Sequence, residues 1–89
     1  MSGRERISEQ LSDFIRERFE VSANDKNFSA DVHLWNDGYV DSLGVAEVIA
    51  FIEGQFSVKV PDDVFLDERN MTINGLASYT LRLTQEQKR

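Results

Sequence analysis

The chemistry that this sequence can offer centres on one serine, Ser42, which directly follows an acid, Asp41. A turn signal, Asp37-Gly38, precedes the pair, and the run from Ser42 to Phe56 has apolar residues at helical spacing. Ser42 is therefore expected at the start of a helix. A serine there can cap the helix by accepting a hydrogen bond from a backbone N–H group, or it can serve as a site of covalent attachment.

Catalysis by Ser42 itself is disfavoured by what surrounds it in the sequence. A serine nucleophile needs a base within hydrogen-bond reach, and the chain has a single histidine, His33, and no cysteine. Carboxylates that face water are too weakly basic for that task. The same shortage of histidine and cysteine argues against a metal site. We assign no catalytic residue and no metal ligand and expect the chain not to be an enzyme.

Length, hydropathy and charge narrow the class of protein. The 89 residues suit one domain, and no apolar stretch approaches the roughly 20 residues that a membrane span requires. No apolar signal-peptide core is present either, so we expect a cytoplasmic protein without membrane insertion. From Asp37 to Glu68 eight acids face one lysine, a net charge of −7. Nucleic acid would be repelled, whereas a basic protein surface would be attracted.

Hydrophobic periodicity predicts three main helices. The first covers residues 4–19, with a Ser2–Glu5 capping box, and the second covers 42–56. The third covers 73–84 and follows a capping threonine, Thr72. The apolar faces of these helices contain Ile7, Leu11, Phe14 and Ile15, then Val45, Val48, Ile49, Ile52 and Phe56, and finally Ile73, Leu76, Ala77, Thr80 and Leu83. We predict an ordered core of about residues 4–84, with 85–89 frayed.

Two connections complete the predicted fold. Residues 20–41 read as a long ordered loop, in which Trp35 is expected to be an anchor and His33 a solvent-facing residue without a role. Residues 57–71 form a connector with a short helix from Asp62 to Leu66, opened by Pro61. The fold class is therefore all-α: a small four-helix bundle of three main helices, one short helix and a long first loop, as a single domain over residues 1–89.

The outward face of the second helix is unusual for a surface exposed to solvent. It carries Leu43, Glu47, Ala50 and Gly54, with one large apolar residue and no lysine or arginine. Small residues there allow another protein to approach closely. Phe51 lies between the outward face and the core face, and we expect the segment that follows the helix to cover it.

Residues along nearly the whole chain resemble one family. Asp41-Ser42-Leu43 is similar to the Asp-Ser-Leu attachment motif of the acyl carrier and peptidyl carrier proteins. The resemblance extends from about residue 7 to residue 83, and its further positions are Leu34-Trp35, the Asp37-Gly38 turn, Val40, Glu47, Glu53, Phe56, Val60-Pro61 and Thr72-Ile73. Asp-Ser-Leu alone is common by chance, but within this arrangement of helices it is a specific signal.

The resemblance implies a function for Ser42. It is the residue that would receive 4′-phosphopantetheine from coenzyme A, through a phosphopantetheinyl transferase acting with magnesium. The arm would hold an acyl or aminoacyl group as a thioester, which explains how a chain without cysteine works through a thiol. Asp41 and Leu43 would assist at the attachment site. The implied partner-recognition residues are Leu43, Ala46, Glu47, Ala50, Glu53, Asp62 and Asp63.

The resemblance also implies partners and a subtype. Besides the transferase, the partners are an acyl- or aminoacyl-activating ligase or acyltransferase and the condensing or transfer enzymes that follow, and the carrier is expected to be a monomer. Gly44 stands where many fatty-acid carriers have an acid, and Ala46 and Ala50 replace bulkier residues. These departures argue against a fatty acid synthase carrier. The Asp37-Gly38 turn that leads into Val40-Asp41-Ser42 resembles short freestanding carriers of the D-alanyl or specialised-metabolite type. The cargo cannot be read from the sequence.

One alternative from another class remains. The chain would then be a non-catalytic helical interaction module that docks its acidic second helix on a basic partner. That reading needs Leu43 and Glu47 but not the Ser42 hydroxyl.

Overall fold

The computed structural model describes residues 2–87, and within that range the chain is entirely helical apart from its connections. Helix α1 spans Gly3–Arg18, α2 spans Ser42–Phe56 and α3 spans Ile73–Gln87. Two short 3-10 turns, Val64–Leu66 and Glu68–Met71, lie between α2 and α3. The all-α prediction is confirmed, and the one short helix expected in the connector is replaced by these two turns.

The core lies where α1 and α3 pack side by side and α2 closes over them. Fully or almost fully buried side chains come from all three helices and from the first loop: Leu11, Ile15, Leu34, Val48, Ile52, Ile73, Leu76 and Thr80. Gly3 lies against Leu81, and the Ser8 hydroxyl donates to Asn74 Oδ1 at 3.1 Å, so α1 and α3 run antiparallel. None of the helices in the described range is long and apolar enough to cross a membrane.

Helix α1 lies within one residue of its predicted bounds at both ends. The Ser2 hydroxyl accepts a hydrogen bond from the Glu5 N–H at 3.1 Å, which confirms the predicted cap. At the other end Glu20 has a positive φ of 54°, and the Val21 N–H bonds to the Arg16 carbonyl at 3.0 Å. This is the hydrogen-bond pattern of a Schellman motif, and it turns the chain sharply into the first loop.

The first loop is ordered because it is bonded to both neighbouring segments. The Leu34 N–H donates to the Met71 carbonyl at 2.8 Å, and the Asn74 N–H donates to the Ala30 carbonyl at 2.9 Å. Within the loop the Tyr39 hydroxyl donates to Asp25 Oδ2 at 3.0 Å. Burial and this bond raise the pKa of Tyr39 above its usual value. The loop therefore delivers the residues before Ser42 in a fixed arrangement.

Of the two roles considered for Ser42, the helix cap belongs to the residue before it. Asp41 is the N-cap: its backbone is extended, and its Oδ1 accepts from the Gly44 N–H at 2.8 Å. Ser42 is the first helical residue. An aspartate is as good a cap as a serine and also places negative charge at the positive end of the helix dipole.

Gly44 is required by packing, and this explains a residue that stood out in the sequence. A Cβ atom built on Gly44 would lie 2.7 Å from Cε1 of Phe19 and 2.9 Å from Cγ1 of Val40. Phe19, the residue that ends α1, occupies the space that any larger side chain at position 44 would need. Packing against Phe19 therefore accounts for Gly44 without reference to the cargo.

The prediction of which segment covers Phe51 is wrong. The segment after α2 was expected to cover this side chain, but its ring stacks on Phe14 of α1, with ring centres 4.2 Å apart and planes 16° apart. Phe56 then meets Phe51 edge to face. Phe14 lies on the predicted apolar face of α1, so this stacking joins α1 to α2.

The end of α3 also corrects the prediction of a frayed segment. Residues 85–87 are helical, and the side chain of Gln87 accepts from the Lys59 N–H at 2.8 Å and donates to the Lys59 carbonyl at 3.0 Å. This pair of bonds ties the last turn of α3 to the connector. The rest of the predicted frayed segment, residues 88 and 89, lies outside the described range.

The cap assignment makes a prediction about stability. Asp41→Ala removes the acceptor of the Gly44 N–H and should lower the free energy of unfolding by about 1 kcal/mol. Ser42→Ala removes no capping bond and should change it by less than about 0.5 kcal/mol. Urea unfolding of the two variants measures both values. Equal losses would mean that Ser42 shares the cap.

Two glycines on the same helix provide a matched test of the Gly44 packing. Gly44→Ala should lower the free energy of unfolding by about 1–3 kcal/mol, because Phe19 or the backbone must move. Gly54 has no atom within 4 Å of an added Cβ, so Gly54→Ala should raise it by about 0.5–1 kcal/mol. Thermal and urea unfolding would show the opposite signs, and a neutral Gly44→Ala would remove the packing argument.

Candidate functional site

Ser42 is exposed at the surface, and its hydroxyl is not used by the fold. Among residues 2–87 it has no hydrogen bond to another side chain or to the backbone, since Asp41 provides the cap. The helix that begins at Ser42 is anchored in the core by Val48 and Ile52. The serine is therefore held rigidly on a helix terminus while its oxygen stays open to another molecule.

Asp41 and Ser42 line two different grooves. One has a volume of about 740 Å³ and includes Asp41 at its wall, together with Phe14, Glu17, Arg18, Phe19, Glu20, Gly38 and Tyr39. The other has a volume of about 420 Å³ and includes Ser42, with His33, Trp35, Asn36, Val45, Phe65, Glu68 and Met71. We call them the Asp41 groove and the Ser42 groove.

Trp35 does not anchor the loop, contrary to the prediction. Its side chain is 48% exposed and lines the Ser42 groove, whereas Leu34 is 2% exposed and takes the place in the core. The sequence signalled that this pair was important but not which member faced the core.

His33 also differs from its predicted solvent-facing position without a role. Its ring is partly buried, with Nε2 2.8 Å from Glu68 Oε2. Its Nδ1 accepts from the Asn36 N–H at 2.9 Å, so the neutral ring carries its proton on Nε2 and donates it to Glu68. His33 thereby joins the first loop to the second 3-10 turn across the Ser42 groove.

The outward face of α2 is as open as the sequence predicts. Leu43 is 79% exposed, and Ala46 and Ala50 are also exposed. A large apolar side chain this exposed next to Ser42 is unusual, because burying a leucine is worth about 2 kcal/mol. The exposed leucine and the small residues beside it form a surface that a second protein can cover.

Glu47 lies on this face but is already paired within the chain. Its Oε1 accepts from the guanidinium of Arg18 at 2.5 Å, and the side chains of Arg18 and Glu47 are 54% and 37% exposed. Arg18 also lies over the ring of Phe19, 5.7 Å from its centre. Sequence reasoning missed Arg18, since only the fold brings the last turn of α1 beside the second turn of α2.

The remaining acids of the predicted recognition set lie in different surroundings. Glu53 is half-buried, and its Oε2 accepts from the Val60 N–H at 2.9 Å, so it holds the connector against α2. Asp62 and Asp63 are exposed just before the first 3-10 turn. A role for any of the three in recognition stays a prediction. No group of three or more potential metal-binding side chains occurs in the part of the chain that the structure describes.

The comparisons with known proteins agree with this geometry. A family model described as a phosphopantetheine attachment site matches residues 9–80. An acyl carrier protein of Lactobacillus acidophilus is 29% identical over 75 residues, which cover 84% of this chain and 89% of the relative. An acyl carrier protein of Lactobacillus johnsonii is 34% identical over 59 residues, which cover 66% of this chain and 71% of the relative. The chain therefore belongs to the phosphopantetheine-binding acyl carrier protein family, with covalently attached 4′-phosphopantetheine as its cofactor.

Proposed function

We propose that this chain carries an acyl or aminoacyl group as a thioester on a 4′-phosphopantetheine arm attached to Ser42, and that it takes this group from one partner enzyme to the next in the cytoplasm. One observation supports this most directly. The Ser42 hydroxyl is exposed and uncommitted because Asp41 caps the helix in its place. A serine kept only as a cap would be expected to hold that bond itself.

The residues around Ser42 suit an attached arm. When attached, the arm supplies the thiol that this cysteine-free chain lacks. The chain itself supplies a rigid point of attachment and two grooves, one lined by Asp41 and the other by Ser42. The Ser42 groove has both apolar walls, from Trp35 and Phe65, and polar groups, from His33 and Asn36. An arm with amide and methyl groups would find partners for both there.

Partner enzymes would approach over α2. We propose Leu43, Ala46, Glu47 and Ala50 as the surface that the phosphopantetheinyl transferase meets, with the activating ligase or acyltransferase and the downstream enzymes using the same face in turn. The observations in support are the exposure of Leu43 and the negative charge of the middle of the chain. Acidic complementarity with basic partners favours fast encounter more than tight binding. A carrier that visits several enzymes in succession needs that balance.

Fewer observations support the carrier subtype once the structure is known. Gly44 is explained by Phe19 and so no longer distinguishes one class of cargo from another. The small residues Ala46 and Ala50 remain, and both face outward. We therefore retain a short carrier for amino acids or small acyl units as the proposal, supported by those two alanines and by the Asp37-Gly38 turn, in which Gly38 has a positive φ of 80°.

Modification at Ser42 is the central prediction. Incubation with coenzyme A, magnesium and a promiscuous phosphopantetheinyl transferase should raise the intact mass by one phosphopantetheine. Ser42→Ala should stay unmodified, and Ser57→Ala, which changes an exposed serine at the far end of α2, should be modified normally. Modification of the Ser42→Ala variant would place the attachment elsewhere. A wild-type chain left unmodified by several transferases would contradict the carrier function and favour an interaction module.

Recognition by charge gives a second prediction. Glu47→Lys should slow modification by a factor of about three to ten at low ionic strength, and by much less in high salt, because exposed charges are screened. Glu86→Lys makes the same charge change at the end of α3, where Gln87 meets Lys59, and should have little effect. Initial rates followed by mass spectrometry measure both. Equal rates for Glu47→Lys and wild type at low salt would remove Glu47 from the recognition face.

A further inference from the structure

The pairing of Glu47 with Arg18 has a consequence for recognition. Glu47 is the one carboxylate of the partner surface proposed on α2, and it is already paired with a cation from the same chain. A basic side chain of a partner can bind Glu47 directly only if Arg18 gives way. We propose that Arg18 is an intramolecular competitor for the basic residues of partner enzymes, so that it weakens and tunes recognition at Ser42. This inference rests on the carrier function proposed above.

Packing of neighbouring residues places Arg18 close to Glu47. Gly44 leaves room for Phe19 beside the first turn of α2, and Phe19 fixes the end of α1 there. Arg18, one residue earlier, then reaches Glu47 across the gap between the two helices. The pair joins residues 29 positions apart in sequence, so its formation depends on the packing of α1 against α2.

Arg18 is also a basic residue on a surface that is otherwise acidic. Among the described residues that line the Asp41 groove, it is the one base, and Glu17, Glu20 and Asp41 lie in the same wall. Without Arg18 these acids and Glu47 would present continuous negative charge from the end of α1 to the second turn of α2. With it, the middle of that surface is neutralised by the chain itself.

Displacement of Arg18 is easy in physical terms. An ion pair exposed to this degree contributes little, about 0.2–1 kcal/mol by measurements on similar pairs. The guanidinium that leaves Glu47 stays close to the ring of Phe19, where a cation is favourably placed. A partner's lysine or arginine can therefore replace Arg18 at Glu47 without leaving a buried charge unpaired.

The test is the rate at which a phosphopantetheinyl transferase modifies the full chain. Arg18→Gln should raise kcat/KM by a factor of between about 1.4 and 5, which is the range of exposed ion-pair energies expressed as a ratio. The change should appear in KM, because the Ser42 hydroxyl and the chemical step are untouched. It should be largest at low ionic strength and almost vanish at about 1 M salt, where the screening length is about 3 Å.

Control variants separate competition from net charge. Arg6→Gln removes the same charge near the C-terminal end of α2, where Arg6 and Phe56 line one groove, and should not accelerate modification. Arg18→Lys keeps the charge and should stay close to the wild-type rate. In a Glu47→Gln background Arg18→Gln should no longer accelerate modification. Arg18→Met is the second variant if Arg18→Gln proves unstable, because it keeps an aliphatic contact with Phe19.

The outcomes distinguish this inference from the function on which it rests. A wild-type chain that no transferase modifies overturns both. A modified wild type whose Arg18→Gln variant is equally fast or slower overturns the competition alone, as does an acceleration that persists unchanged in the Glu47→Gln background. Acceleration by Arg18→Gln that requires Glu47 and low salt supports it.

Discussion

The hydrogen bond from the Gly44 N–H to Asp41 Oδ1 is the contact on which the site depends. The Asp41 side chain accepts from a backbone N–H group that would otherwise have no partner at the start of α2. Ser42 is therefore not needed as a cap, and its hydroxyl makes no hydrogen bond within the described residues. The first loop places Asp41 for this bond through the contacts of Leu34, Val40 and Tyr39 with one another and with the Met71 carbonyl. The acid next to the serine thus has a structural task, and any contact with a transferase is additional to it.

A second constraint is the close approach of α1 to α2 at Gly44. Phe19 and Val40 fill the space beside this glycine, and the stacked rings of Phe14 and Phe51 hold the same two helices together further along. Because the end of α1 is fixed against the first turn of α2, its charges belong to the surface around Ser42. The proposed recognition face therefore includes residues from the end of α1 as well as from α2.

Hydrophobic spacing predicted the three helices closely, since apolar side chains at helical intervals must face a common core. The Asp-Ser-Leu motif and its surroundings identified the family and indicated Ser42 as the attachment residue. What spacing does not determine is which of two adjacent loop residues is buried, as with Leu34 and Trp35, or which polar groups meet across the fold, as with His33 and Glu68. The reach of Arg18 to Glu47 was hidden for the same reason, because such contacts depend on helix crossing geometry and not on local pattern.

A carrier has to be released as readily as it is bound. Variants of one interface differ mainly in dissociation rate, so a surface that is fully complementary to a basic partner would hold it too long. Neutralising one acid from within the same chain lowers affinity without adding bulk to the surface or removing the acid. The long-range attraction of the remaining acids persists, and encounter stays fast. In the competition proposed above, Arg18 and Glu47 separate the two requirements. The overall charge of the chain sets how quickly partners arrive, and the intramolecular pair sets how readily the Glu47 carboxylate is available to them.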